Sequence, residues 1–135
     1  MAGETSLALL IRSLSPELNP GDYVFCTLAD ATALQGSETL GSFREREGLT
    51  VILRREDADR LALAYDYVAA WITLEVHSSL AAVGLTAAFA GALAQANISC
   101  NVIAGYYHDH LFVARDDAER ALSTLRALAA SAGEA

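Results

Sequence analysis

Apolar and polar positions change their period along the chain, and the changes mark the elements. Residues 23–28 (YVFCTL), 49–55 (LTVILRR) and 70–76 (AWITLEV) are aromatic and β-branched runs of strand length. Residues 98–107 (ISCNVIAGYY) and 110–114 (HLFVA) predict two more strands around a tight connection. The period lengthens over 56–65, where Ala58, Leu61, Ala62 and Tyr65 recur at helical spacing behind an acidic first turn. Residues 85–96 predict a second helix, with Leu85, Phe89, Leu93 and Ala96 on one stripe. Residues 116–130 predict a third, with Ala118, Leu122, Leu125 and Ala129 on one face and Asp116 and Glu119 at capping-box spacing. Residues 6–14 fit a strand or a short helix, 15–22 have the composition of a turn, and 40–48 fit a short helix closed by Gly48.

From residue 70 onward the order is β-α-β-β-α. The first half repeats part of it: RREDADRLAL and ARDDAERALS align without gaps, Arg55 on Arg115, sixty positions apart. Both copies stand at a strand-to-helix junction. Two related α+β units divided near residue 68 are therefore expected, the first one abbreviated.

Composition narrows the function. The 135 residues are 53% hydrophobic, more than an ordinary domain needs for its own core, so extra burial in an oligomer is expected. Net charge is −8 and all nine cations are arginine. Nothing forms the basic stripe that nucleic acid requires. Without lysine, neither Schiff-base chemistry nor a phosphate-binding P-loop can operate. LALLI is too short for a signal peptide, and the apolar tract 80–94 is too short to span a bilayer. A soluble, cytoplasmic protein is expected, with Cys26 and Cys100 as buried free thiols.

The loop 77–88 (HSSLAAVGLTAA) offers the most chemistry. It runs from a strand into a helix whose first amides have no internal partner, which suits an anion such as a carboxylate. Ser78 and Ser79 add hydroxyls, and Gly84 lets backbone approach a ligand. The same pattern fits a plain connection with Gly84 as its turn residue. Beyond it, the back of the 85–96 helix (Ala87, Ala90, Gly91, Ala94) carries almost no charge and is expected to be covered by the first unit or by a second chain.

ITLEVHSSLAAVGLTAAFAGALAQANISCNVIAGYYHDHLFV resembles an ACT domain, the ferredoxin-like module that commonly senses amino acids. The motifs SLSPELNPGDYVFCTL, FREREGLTVIL, HSSLAAVGLTAAF and NVIAGYYHDHLFV are similar to those of a family of small bacterial ACT-domain proteins of unassigned function. The resemblance implies an α+β fold of tandem ACT units, with antiparallel sheets and helices packed on one face. Residues 1–68 would be an abbreviated ACT-like unit lacking its middle strand, for which LALLIRSL would substitute, and 69–135 a complete ACT domain. It implies an amino acid or similar metabolite bound where two units meet, against Ser78, Ser79, Leu80, Ala82, Val83, Gly84, Leu85 and Thr86. Asn101, Val102 and Ile103 would face it from a strand, and Asp30, or alternatively Glu45 or Glu47, would meet the amino group. A homodimer is expected.

His108-Asp109-His110 fits a hairpin tip with Asp109 as its turn residue; a metal site would need a third ligand from His77 or Cys100. His108 is retained as a contact at the border of the ligand cavity. The enzyme motifs G-x-S-x-G and C-x-x-C are absent, and adjacent His77 and Ser78 point to opposite faces of an extended run. No catalytic residue, metal or cofactor is assigned. The alternatives to a sensor are a ligand-free dimerisation protein and a small enzyme, either a transferase or a metal-dependent hydrolase.

Overall fold

A computed structural model of the chain describes residues 6–76 and 83–133. The elements are α1 (Leu7–Arg12), β1 (Pro16–Leu18), β2 (Tyr23–Leu28), β3 (Gly41–Arg44), β4 (Leu49–Arg54), α2 (Arg55–Arg60), β5 (Val68–Leu74), α3 (Leu85–Gln95), β6 (Cys100–Ala104), β7 (Asp109–Ala114) and α4 (Ala118–Gly133). Single 3-10 turns cover Ala31–Leu34 and Arg115–Asp117. The β1–β5, β2–β4, β2–β5, β3–β4 and β6–β7 pairs are all antiparallel, giving the expected α+β class.

Two compact units emerge: Pro20–Ala70, and Met1–Asn19 together with Trp71–Ala135. Residues 6–19 group with the C-terminal half.

The smaller unit builds its sheet in the order β3-β4-β2, with the start of β5 beside β2 at Tyr23↔Ala69. Its core is Val24, Cys26, Leu28, Leu34, Val51, Leu53 and Ala58, with Leu61, Leu63 and Tyr65 packed at the edge. The expected helix over 40–48 is a strand instead. Gly41–Arg44 pairs with β4 in the register Gly41↔Ile52 to Arg44↔Leu49, and Glu45 N–H donates to Gly48 O (2.9 Å) in the turn. Charged FREREG suits this place because an edge strand tolerates charge better than a central one. The middle strand thought missing is therefore β3, and LALLIRSL, which is helical, does not replace it.

The expected helix over 56–65 stops at Arg60. Ala62 enters the left-handed region (φ 57°), Ala62 N–H donates to Asp59 O and Leu63 N–H to Ala58 O. This paired arrangement satisfies the last carbonyls and turns the chain away. Helix α3 ends the same way: Asn97 has φ 61°, with Asn97 N–H on Ala94 O and Ile98 N–H on Leu93 O.

In the larger unit the second half of β5 lies between β1 and β7, with β6 beyond β7. The predicted turn over 15–22 contains β1, paired with β5 from Pro16↔Leu74 to Leu18↔Ile72. Helix α1 packs on α3 and α4, and α4 reaches β1 and β7. Leu10, Ile72, Leu74, Phe89, Leu93, Leu111, Val113 and Leu125 are fully buried as a result. Of the uncharged back of α3, Ala90 is half-buried while Ala87, Gly91 and Ala94 are exposed on the single chain.

The internal repeat extends to hydrogen-bond register. The β3–β4 pairs from Gly41↔Ile52 to Arg44↔Leu49 recur sixty positions on as Asn101↔Phe112 to Ala104↔Asp109. So does an ion pair at the following helix start: Asp57–Arg60 (3.3 Å) and Asp117–Arg120 (2.9 Å). Each arginine also reaches back to the segment before its hairpin, Arg60 to Ser37 Oγ and Arg120 to Ala96 O at the end of α3.

Phe89 has no exposed surface. Phe89→Ala is expected to cost about 3–5 kcal/mol through lost burial and a residual cavity, read as a lowered urea midpoint with an unchanged slope.

Candidate functional site

Gly84 stands immediately before α3 with φ 96°, a conformation L residues rarely adopt. It has no side chain to cap the helix, and the first turn holds no acidic residue. The positive end of an eleven-residue helix is therefore left without the usual side-chain oxygen from its cap position. Gly84 is also tightly seated, since a Cβ there would lie 3.1 Å from Leu7 Cδ2.

The candidate residues around it divide. Val83 and Thr86 are exposed, whereas Leu85 is buried, so its side chain belongs to the core and only its backbone is available. Ser78, Ser79, Leu80 and Ala82 lie outside the described residues, as does His77. Asn101, Val102 and Ile103 lie on β6, at the sheet's end, a strand of the same unit as α3 that packs beside that helix. Asn101 and Ile103 are exposed and Val102 is half-buried.

Asp30 belongs to the smaller unit and caps the 3-10 turn Ala31–Leu34. Its carboxylate accepts from Thr32 N–H (2.8 Å) and from the Thr32 hydroxyl. These bonds hold its carboxyl below the ordinary value, so binding an amino group would compete with its own cap. Glu45 is similarly engaged by the Thr50 hydroxyl.

The hairpin tip is Gly105–His108, with Asp109 and His110 already in β7. Gly105 N–H donates to His108 O (2.9 Å), and a Cβ on Gly105 would lie only 2.7 Å from that same oxygen. His108 Nδ1 is buried and meets no hydrogen-bond partner. Burial pushes the Asp109 carboxyl up, against the pull of both histidines. Among the described residues no group of three His, Cys, Asp or Glu could hold a metal ion. Cys26 is buried and Cys100 half-buried, both free, with burial raising each thiol.

One polar cluster escaped sequence reasoning. His110 Nδ1 accepts from Trp71 Nε1–H (3.1 Å) and lies 3.2 Å from Thr73 Oγ1. Thr73 Oγ1 accepts from Asn19 Nδ2 (2.9 Å), and Asn19 N–H donates to Trp71 O (2.9 Å). The available signal was the alternation of Trp71 and Thr73 on one face of a strand; nothing local tied them to His110.

Two family models, each described as an ACT domain, match the chain, one over residues 2–70 and the other over 67–127. A Vibrio cholerae protein of unknown function, called a possible transport protein, is 52% identical, with a TM-score of 0.84 over 93% of this chain and 97% of that one. An Agrobacterium tumefaciens protein is 17% identical (TM-score 0.66, 86% and 89% covered). The ligand-free regulatory subunit of aspartate kinase from Thermus thermophilus is 9% identical (TM-score 0.66, 84% and 95% covered). No curated protein is significantly similar to the chain.

Two substitutions test the local geometry. Gly84→Ala is expected to destabilise by about 1–2 kcal/mol, chiefly through the left-handed backbone since the Leu7 side chain can shift, measured by urea unfolding. Thr32→Val is expected to raise the Asp30 titration midpoint toward the ordinary carboxylate range, followed by carboxyl NMR. Because that carboxyl is held low, what it contributes to stability is present above its unfolded value and is lost as pH falls through the folded one.

Proposed function

The chain belongs to the ACT-domain family, and on that premise we propose that it is a small-molecule-binding regulatory module whose ligand is an amino acid or a similar carboxylate. The start of α3 behind Gly84, whose cap position offers no side chain, carries this reading. Helix amides and the helix dipole favour a carboxylate there. Asn101 and the backbone of Val102 and Ile103 would supply polar contacts from β6, and Ser78 and Ser79, which precede Gly84 in the sequence, would add hydroxyls. Asp30 ranks low as the amino-group partner because Thr32 already uses it. His108 closes the hairpin tip, with its Nδ1 buried and without a hydrogen-bond partner, and would border the ligand. Residues 1–68 and 69–135 would be the two ACT modules, with α1 and β1 contributed by the first to the fold of the second. The reading requires no catalytic residue.

The exposed small-residue back of α3, with Ile103 exposed on β6, favours a second reading in which the chain works by pairing with a copy of itself. Among the described residues no helix is long and apolar enough to cross a membrane.

A thermal-shift screen against the twenty amino acids separates the readings. A ligand at a hundred times its dissociation constant is expected to add about 2.7 kcal/mol, and Gly84→Ala to weaken that response. A flat screen together with a concentration-dependent dimer in sedimentation would support the pairing protein instead.

A further inference from the structure

The cluster around His110 uses one lone pair in a way that constrains its protonation. Indole N–H can only donate, so His110 Nδ1 must accept at 3.1 Å. Asn19 donates to Thr73 Oγ1, which leaves the Thr73 hydroxyl proton free to point at the same nitrogen, 3.2 Å away. A neutral imidazole with its proton on Nε2 satisfies all of these contacts. An imidazolium would set a ring N–H against the indole N–H.

The other edge of the ring faces the β6–β7 turn. A Cβ on Gly105 would lie 3.1 Å from His110 Nε2, so the imidazole occupies space that only glycine leaves open. Comparison with the first hairpin shows what the ring has replaced. Glu45 and Thr50 stand sixty positions before Gly105 and His110, and there the Thr50 hydroxyl holds the Glu45 carboxylate across the turn. In the second hairpin the side-chain brace is gone, and His110 ties the strand after the turn to Trp71 and Thr73 of β5. The turn it supports carries Tyr106 and Tyr107, both exposed and edge-to-face at 5.0 Å.

We propose that the Trp71–His110 hydrogen bond is a proton-sensitive latch on the β6–β7 turn. Neutral His110 accepts the indole N–H and holds the turn; protonated His110 releases the indole and loosens the segment bearing Tyr106 and Tyr107. Among the described residues, the charged groups acting on the ring are His108 and Asp109 of its own hairpin. β5 contributes the uncharged Trp71 and Thr73, β6 the uncharged Ile103 opposite His110, and residue 19 an amide; beyond Thr73 on the same sheet face stand the carboxyls of Glu17, its partner on β1, and of Glu75, whose hydrogen bond raises Glu17. Burial, and secondarily His108, lower the ring's affinity for a proton, while Asp109 opposes them. A folded-state value below the unfolded one means that the unfolded chain binds the proton more readily. The stability His110 contributes is therefore complete above about pH 6.5 and is lost as pH falls through the folded value. The latch does not depend on what, if anything, the α3 site binds.

Trp71 is the sole tryptophan, so its emission reports the latch directly. The full-length chain is expected to show one fluorescence transition with a midpoint below about pH 6.5, accompanied by loss of hydrogen-exchange protection at the Gly105 amide while far-UV circular dichroism stays constant. His110→Asn keeps an acceptor near the Nδ1 position but cannot titrate, and is expected to abolish the transition; His108→Gln is expected only to shift it. Nitrogen-15 NMR of the wild-type ring at neutral pH should show the Nε2–H tautomer, a readout that needs no variant. A transition that survives in His110→Asn, a flat wild-type profile between pH 4 and 8, or an Nδ1–H tautomer would each overturn the latch.

Discussion

The larger unit depends on keeping one apolar sheet face out of water. Ile72, Leu74, Leu111 and Val113 are wholly buried, and helices α1, α3 and α4, which pack on one another, are the cover. That requirement accounts for the path of the N-terminus. A helix as short as Leu7–Arg12 has little stability of its own; burying Leu10 and pairing β1 along β5 give it somewhere to belong. It also accounts for Gly84, which brings the chain into α3 through a left-handed step with Leu7 packed against it. The smaller unit solves the same problem with less material, a 3-10 turn and a six-residue helix over Val24, Val51 and Leu53.

The second half of the chain was the more legible because its elements are long enough for their period to show. Phe89 and Leu93 on α3, and Leu122 and Leu125 on α4, are buried as their spacing predicts. The first half misled where local composition and pairing disagree. FREREG has the charge of an exposed helix, yet a strand partner in β4 decides its conformation. LALLIRSL is ambiguous by composition because both of its candidate states bury leucine, and only contact with α3 and α4, far along the chain, resolves it. The helix after β4 ends at Arg60 although its apolar spacing continues to Tyr65. Leu61 and Leu63 pack on the core from a turn, and Tyr65 hydroxyl donates to Asp59 while accepting from Arg55.

The candidate site was legible in outline for the same reason that it is incomplete in detail. A glycine before a helix is a local signal, and Gly84 has the geometry that such a signal predicts. The resemblance points to Asp30 for the amino group, and a resemblance does not see that a neighbouring threonine occupies the carboxylate. Leu85 was included by position, although helical periodicity already assigned it to the core. Residues that act only through long-range pairing, Asn19, Trp71 and Thr73, carry no local mark of their role.

The two hairpins show how a repeated backbone acquires different chemistry. Their registers coincide pair for pair, so the peptide groups solve one problem twice and side chains are free to diverge. At Glu45 and Thr50 the divergence is a brace contained within the turn, a hydroxyl held by a carboxylate. At Gly105 and His110 the side chain on one side of the turn has been deleted and the other enlarged into an imidazole that reaches the neighbouring strand. That exchange makes the second turn depend on a titratable ring that burial holds below its ordinary value. A purely structural replacement for the Glu–Thr pair would not need a ring nitrogen surrounded by donors, since an amide or hydroxyl there would hold the indole at every pH. The arrangement found is the one in which the turn's security is tied to a single lone pair.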